Sequence, residues 1–224
     1  MKQNLEIVTV QNPRYKVSVI RNDEYIGRAI ANGREWDGWM RKDIREHYVP
    51  GTDILDIGAN IGYNTLMFSD YGPVHAFEPI FHPLVTQNCE QNNLQHKVTV
   101  HGIALSNVAH ETKMYFPHAT PDGLVNFGGS SMIPDEHDCE FPITVQCKTL
   151  DEVYHGTPSV VKIDVEGHEM EVLQGAMGVI QKHKPAILIE IVHDDGEIKK
   201  FLKNLGYTRE PIERPEKMFV FTRL

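Results

Sequence analysis

The stretch that decides the fold is DILDIGANIGYNT, residues 53–65. It begins as a short apolar run that one acid, Asp56, interrupts, and such a run predicts a buried parallel strand. Gly58 and Gly62 then bracket a tight turn, and residues 66–68 are apolar at helical density. Strand, glycine turn and helix together are typical of a nucleotide cradle, because glycine lets the backbone pass close to a ligand and a helix start offers free N–H groups.

Two positions of this turn bear on the kind of ligand. Asp56 puts an acid at the strand end, and Asn60 stands where a pyrophosphate-binding turn usually has glycine. A carboxylate repels a pyrophosphate but attracts ammonium and sulfonium groups, and S-adenosylmethionine carries both. The turn therefore favours S-adenosylmethionine over NAD. The other interpretation is an ordinary strand–helix turn with a solvated aspartate.

The composition is that of a soluble globular protein. The chain has 224 residues, enough for one large domain, with 41% hydrophobic and 24% charged residues. Its net charge of −9 disfavours a surface that binds a phosphate backbone, and therefore disfavours a nucleic-acid partner. Three cysteines without metal-type spacing indicate free thiols in a reducing compartment, so we expect a cytoplasmic protein. The sequence predicts no membrane span and no signal peptide.

Strand and helix patterns alternate along the rest of the chain. Further strands are expected at 74–79, 98–100, 159–165, 186–191 and 219–221, and helices at 81–94, 149–153, after 168, and at 197–205. Because each helical segment separates two strands, this order predicts a parallel sheet with right-handed crossovers.

Two other segments flank this core pattern. Residues 1–22 alternate as strands do and predict a hairpin, and residues 36–48 have a helical face that covers either a ligand mouth or one sheet edge. Residues 107–147, rich in proline and glycine, predict a β-rich insertion between the third and fourth core strands. Long loops in compact domains tend to be functional, and the loop 126–131 is either part of the site or a plain flexible loop.

The second core strand ends in an acid, Glu78, 22 residues after Asp56. In nucleotide-binding α/β folds, an acid at this place accepts hydrogen bonds from ribose hydroxyls. The other interpretation is a strand-end carboxylate that faces water. The turn after the third strand, at 101–106, is expected beside the adenine in a fold of this kind.

Several motifs in a fixed order resemble the FkbM-type methyltransferase family. They are DIGANIGY (56–63), FEP (77–79), ALS (104–106), TLD (149–151), KIDVEGHE (162–169), VLQGA (172–176) and KPAILIE (184–190). The resemblance implies a class I methyltransferase fold, which is Rossmann-like, with a mostly parallel seven-stranded sheet and helices on both faces. It also implies S-adenosylmethionine as the donor, S-adenosylhomocysteine as the product, and usually O-methylation of a sugar, glycan or other small natural product.

The resemblance further implies the domain organisation and the site residues. We expect a single methyltransferase domain over residues 1–224, with an N-terminal cover at 1–49 and a catalytic core at 50–224 that carries the insertion. The residues expected to contact the donor are Glu35, Asp56, Gly58, Ala59, Asn60, Gly62, Asn64, Thr65, Glu78, Pro79, Gly102, Ile103, Ala104 and Asp164. Those expected to contact the acceptor are Trp36, Asn126, Gly128, Ser130 and Glu190.

Methyl transfer to a hydroxyl requires a base that removes the proton. Ligands in such sheets lie at the carboxyl ends of strands, and Asp164, Glu166 and His168 lie at the carboxyl end of the fourth core strand. The ordinary pKa of histidine suits this role, but either carboxylate can serve, and a residue in this turn can instead cap the next helix. Carboxylates also suit Mg²⁺, but no complete ligand set is evident, so we predict no metal.

Three alternatives stay open at this point. A nicotinamide-dependent oxidoreductase would also use Glu78, but Asn60 and the missing dehydrogenase-like second domain disfavour it. An inactive binding module is disfavoured because the acids and glycines are intact at every expected donor position. A protein or nucleic acid is the alternative to a small-molecule or glycan acceptor.

Overall fold

The structure, a computed structural model, describes residues 5–133, 142–191 and 195–223. Part of the predicted insertion and Cys139 lie outside these ranges, whereas Cys89 and Cys147 are buried free thiols. The strands are β1 (Ile7–Gln11), β2 (Lys16–Ile20), β3 (Asp53–Ile57), β4 (Val74–Phe77), β5 (Val98–His101), β6 (Ala104–Leu105), β7 (His110–Met114), β8 (Ile143–Lys148), β9 (Pro158–Ile163), β10 (Ala186–Glu190), β11 (Ile212–Glu213) and β12 (Met218–Phe221).

The helices alternate with the core strands as expected. They are α1 (Ile26–Ala31), α2 (Met40–His47), α3 (Tyr63–Ser69), α4 (His82–Glu90), α5 (Leu150–Val153), α6 (Glu169–Gly175), α7 (Met177–His183) and α8 (Asp195–Asn204). The helix predicted over 36–48 begins only at Met40, because residues 36–39 form turns, and α1 was not predicted. Among the described residues, no helix has the length and apolar character to cross a membrane.

Seven strands form the central sheet, in the order β11-β12-β10-β9-β3-β4-β5. From β5 to β10 all neighbours are parallel, while β12 runs antiparallel to β10 and to β11. The prediction of a mostly parallel seven-stranded sheet is confirmed. The chain moves outward from β3 to β5 and then returns to β9, so the strand order reverses between β3 and β9. In open α/β sheets, ligands bind at such a reversal, beyond the carboxyl ends of the strands.

Alternate side chains of each strand enter two apolar cores, one on each face of the sheet. Ile54 packs in the core that α2, α3, α4 and the N-terminal strands cover. Leu55 and Ile57 pack in the other core, against α5, α6, α7 and α8. Helices on both faces are thereby confirmed. Asp56 shares the parity of Ile54 and is fully buried on the α3 face.

The segments that flank the core also fold as predicted. β1 and β2 form an antiparallel hairpin, and β6, β8 and β7 form a separate three-stranded sheet, which is the β-rich insertion between β5 and β9. Backbone bonds join the two segments, since Glu24 N–H donates to the Val125 carbonyl at 3.0 Å and Val125 N–H to the Asn22 carbonyl at 3.0 Å. The N-terminal segment therefore holds the chain that leads into loop 126–131.

Candidate active site

A cavity of about 300 Å³ lies where β3, β4, β9 and β10 end. Its size is at the low end of the range for small-molecule sites. The predicted site residues that line it are Trp36, Gly58, Ala59, Asn60, Asn64, Glu78, Pro79, Ile103, Ala104, Asn126, Gly128, Ser130, Asp164, Glu166, His168 and Glu190. The structure thus brings residues predicted for the donor, the acceptor and the chemistry into one cavity.

Some predicted donor contacts do not line this cavity. They are Glu35, Asp56, Gly62, Thr65 and Gly102. Asp56 and Thr65 are fully buried, and Thr65 Oγ1 donates to Asp56 Oδ2 at 2.6 Å. Glu35 instead accepts a hydrogen bond from Arg14 Nε at 2.5 Å. The structure corrects the expectation that the Asp56 carboxylate meets the ligand, because strand parity turns it toward α3.

The N–H groups of the glycine turn are committed to the protein itself. Gly58 and Ala59 donate to the Phe77 carbonyl, Asn60 to Glu78 Oε2, Ile61 to Asn60 Oδ1, and Gly62 to the Ala59 carbonyl. A pyrophosphate binds such a turn through free N–H groups. Residues 58–62 offer none, so the turn itself does not suit a pyrophosphate. The free N–H groups that the sequence predicted belong to the start of α3, which begins at Tyr63.

Gly58 fixes the contact between the ends of β3 and β9. Its φ of +78° is left-handed, and a Cβ placed there would lie 1.7 Å from the Asp164 carbonyl oxygen. A side chain at this position would therefore push Asp164 away. The Asp164 N–H also donates to the Ile57 carbonyl at 3.1 Å. The glycine turn thus touches Asp164, the first of the three predicted catalytic residues.

Glu78 is the acid that follows β4, and it lines the cavity although it is 6% exposed. Its Oε1 accepts from Ile80 N–H at 2.7 Å and Phe81 N–H at 2.9 Å, and its Oε2 accepts from Asn60 N–H at 3.0 Å. Burial raises the pKa of Glu78, and the three N–H donors oppose that shift. A carboxylate accepts about four hydrogen bonds. One acceptor position of Oε2 is therefore left for a hydroxyl.

Lys162 lines the cavity and lies at the centre of a cluster of charged groups. Its Nζ donates to the Gly58 carbonyl at 2.7 Å and lies 3.2 Å from Asp164 Oδ2 and 3.4 Å from Asp56 Oδ1. Burial alone would lower the pKa of Lys162, but the carboxylates of Asp164 and Asp56 outweigh it and raise the pKa. Lys162 is therefore a charged ammonium inside the protein, and its partners fix it in place.

Three carboxylates meet at the ends of β9 and β10. Oxygens of Asp164, Glu166 and Glu190 lie within 4.8 Å of one another. Burial, followed by repulsion from Asp164 and Glu169, raises the pKa of Glu166 to about 7. Burial and then the charge of Asp164, to which Glu190 hydrogen-bonds, raise the pKa of Glu190 to about 9. At neutral pH, Glu190 keeps a proton beside Asp164 and Glu166 is partly ionised. We assign no metal to this cluster.

His168, the third predicted catalytic residue, lines the cavity next to α6. Its Nε2 lies 3.0 Å from Ser106 Oγ, and its Nδ1 lies 3.6 Å from Glu171 Oε2. Burial lowers the pKa of His168, and Glu171 opposes that shift. The ring is therefore neutral at physiological pH, and its two nitrogens face polar neighbours.

Three of the charged residues that line the cavity were not predicted to be functional. Lys162 is a lysine inside an apolar strand and the first residue of the KIDVEGHE motif, and these are the two signals that the sequence offered. Asp37, with φ +49°, accepts from Asn64 Nδ2 at 3.0 Å, and burial raises its pKa. Glu216, with φ +58°, reaches the cavity from between β11 and β12. Contacts between distant segments bring Asp37 and Glu216 to the cavity, so no local sequence pattern predicts them.

Comparison with known proteins agrees with this geometry. Residues 56–209 match the sequence model of the methyltransferase FkbM domain. The hexuronic acid methyltransferase AglP of Haloferax volcanii is 28% identical over 167 residues, which are 70% of this chain and 64% of AglP. The solved methyltransferase FkbM from Methylobacillus flagellatus has a TM-score of 0.53 at 17% identity, over 81% of this chain and 50% of that one.

A second solved structure extends the likeness to nearly the whole chain. Trm5 of Methanocaldococcus jannaschii, in complex with adenosine, has a TM-score of 0.51 at 13% identity, over 99% of this chain and 55% of that one. At these identities the two solved structures show the fold alone, and they confirm the class I methyltransferase fold. The matches span 64% of AglP and about half of each solved chain. Because the family match covers more than half of the residues, the chain belongs to the methyltransferase FkbM domain family.

Proposed function

We propose that this chain is an S-adenosylmethionine-dependent O-methyltransferase that acts on a hydroxyl of a sugar, glycan or other small natural product. One observation carries the proposal. A single cavity joins Glu78 and the glycine turn, on the donor side, to the carboxylates of Asp164, Glu166 and Glu190. A donor and an acceptor that both enter this cavity would lie beside each other, as methyl transfer requires.

The residues on the donor side fit an adenosyl compound better than a dinucleotide. Glu78 Oε2 keeps an acceptor position for a ribose hydroxyl, while residues 58–62 offer no N–H group to a pyrophosphate. The carboxylates beyond the turn suit the positive groups of S-adenosylmethionine. When bound, S-adenosylmethionine supplies a methyl group that its sulfonium already activates. The protein then needs only to align the acceptor, remove its proton and exclude water.

Among the three predicted bases we favour Glu166, because of the charges around it. Its pKa of about 7 lies near the operating pH, where a base is most effective. Glu190 holds its own proton at that pH, and Asp164 is tied to Lys162. Glu166 would take the hydroxyl proton of the acceptor onto its carboxylate. His168 is the second candidate, because its neutral ring can accept a proton. It ranks below Glu166 because its Nε2 already lies beside Ser106 Oγ.

A sugar acceptor draws support from the mouth of the cavity and from AglP. Trp36 and Trp39 line the cavity, and Tyr25, which is 51% exposed, stands at its edge. Aromatic rings give a sugar ring an apolar face on which to pack. AglP is by its name a hexuronic acid methyltransferase. A long nucleic acid is disfavoured, since the chain carries a net charge of −9.

Methyl transfer from labelled S-adenosylmethionine tests the proposal. The purified chain is incubated with neutral sugars, amino sugars, uronic acids, RNA and protein, and the labelled product is identified by mass spectrometry. We expect the label on a sugar hydroxyl, and a loss of about 10²–10⁴ in turnover for Glu166→Gln. Glu90→Gln, at an exposed carboxylate on α4, is the matched control and should keep full activity. Label only in RNA or protein, or no transfer at all, would contradict the proposal.

A further inference from the structure

We propose that Lys162 is a positioning residue that holds Asp164 in place for methyl transfer. The inference rests on the proposed function and deepens it, because it gives the buried lysine a role in the reaction. Lys162 lines the cavity, between the glycine turn on the donor side and the carboxylates on the acceptor side. Nothing in the local strand pattern requires a charge at this position.

The ammonium of Lys162 has three N–H donors and three nearby oxygens. The Gly58 carbonyl at 2.7 Å belongs to the donor turn, Asp164 Oδ2 at 3.2 Å belongs to the predicted catalytic residues, and Asp56 Oδ1 at 3.4 Å belongs to β3. The side chain of Lys162 is 2% exposed and that of Asp164 is 31% exposed. Lys162 therefore links the donor turn to a carboxylate that reaches the cavity.

The position of Asp164 explains why it needs this partner. Asp164 follows the last residue of β9, and strand parity puts its side chain on the same face as that of Lys162. Glu166 and Glu190 each offer a carboxylate oxygen within 4.8 Å of an Asp164 oxygen. Without Lys162, the negative charge of Asp164 would face other carboxylates and would be free to turn away from the cavity.

Stability alone does not account for Lys162. A buried ion pair can often be replaced by apolar residues of similar volume without loss of stability, whereas removal of one partner leaves a costly unpaired charge. Asp56 already accepts a hydrogen bond from Thr65, and its only ionic partner among the described residues is Lys162. A neutral pair at positions 56 and 162 would therefore satisfy the core, but it would leave Asp164 without its cation.

This reasoning defines a test in the background of Asp56→Asn, whose side-chain oxygen can still accept from Thr65. Lys162→Met and Asp164→Asn are added to this background singly and together. We expect Lys162→Met to lower kcat about tenfold or more when Asp164 is present, and less than about twofold when position 164 is Asn. The dissociation constant for S-adenosylhomocysteine, measured by calorimetry, should change less than about threefold, because the turn keeps its other hydrogen bonds.

Two further variants guard the interpretation. Lys162→Gln in the same background retains an N–H donor for Asp164 and should keep more activity than Lys162→Met. We expect this difference even where Lys162→Met also lowers the thermal unfolding temperature. Lys97→Met removes another lysine that donates to a backbone carbonyl, that of Ser69 at 3.2 Å, and should leave kcat unchanged.

The outcomes separate this inference from the function on which it rests. Absence of methyl transfer in the unaltered chain refutes the proposed function and this inference with it. Transfer in the unaltered chain, together with full kcat in Asp56→Asn/Lys162→Met, overturns this inference alone. It is also overturned if Lys162→Met lowers kcat equally with Asp and with Asn at position 164, or if Lys162→Gln is no better than Lys162→Met.

Discussion

Replacement of Glu78 by Gln is expected to weaken donor binding and to cost a modest amount of stability. The amide oxygen can keep the N–H donors of Ile80 and Phe81, but the amide nitrogen then faces the N–H of Asn60. One unpaired buried donor costs about 1–3 kcal/mol. For a chain of this length, that loss lowers Tm by roughly 2–12 °C. The lost charged contact to a ribose hydroxyl contributes about 1.5–3 kcal/mol, so affinity should fall roughly 10- to 150-fold.

Calorimetry with S-adenosylhomocysteine and thermal unfolding measured by circular dichroism give the two quantities separately. Glu78→Ala should lower Tm more than Glu78→Gln, because it leaves all three N–H groups without an acceptor. Glu90→Gln serves as the control and should change neither quantity. Unchanged affinity in Glu78→Gln, with Tm lowered as expected, would show that Glu78 only supports the turn and does not meet the donor.

Three further predictions concern pH, acceptor charge and stability. If Glu166 is the base, kcat/KM rises with pH through about 7, since the base acts only when deprotonated. Glu166→Gln should abolish that rise, and a rise that persists in this variant would mean that another group is the base. Lys162 is the only lysine or arginine among the described lining residues, so an uncharged or amino sugar should react about tenfold faster or more than the matching uronic acid, and equal initial rates would contradict this. Asp43→Asn should lower the free energy of unfolding by about 3 kcal/mol and Tm by roughly 6–12 °C, because Asp43 is 1% exposed and pairs with Arg214 at 2.6 Å. Donor affinity should not change, and an unchanged Tm would refute a stabilising role for this ion pair.

The parts of the fold that local patterns control were predictable from the sequence. The apolar runs of β3, β9 and β10 give buried strands, and residues at the carboxyl ends of parallel strands meet at one edge of the sheet. Glu78, Asp164 and Glu166 line one cavity for this reason. The alternation of strands with helices likewise predicted the parallel sheet.

What the sequence did not predict depends on side-chain direction and on contacts between distant segments. The buried position of Asp56 follows from the period of two along β3, which places it with Ile54 on the α3 face, but its charge suggested a ligand contact instead. Asp37 reaches the cavity through a left-handed backbone within turns, while nearby Glu35 pairs with Arg14. Glu216 arrives from near the end of the chain, so only the folded sheet brings it to the site.

Direct titration of the purified chain with S-adenosylmethionine, S-adenosylhomocysteine and NAD tests the central claim, that the cavity takes an adenosyl methyl donor. The N–H groups of residues 58–62 already bond within the protein, and Glu78 Oε2 keeps an acceptor position for a ribose hydroxyl. Both adenosyl compounds should therefore bind more tightly than NAD. We expect dissociation constants on the order of micromolar for both adenosyl compounds, equivalent to about −8 kcal/mol, and no measurable heat with NAD. Micromolar binding of NAD, with no response to either adenosyl compound, would contradict the account.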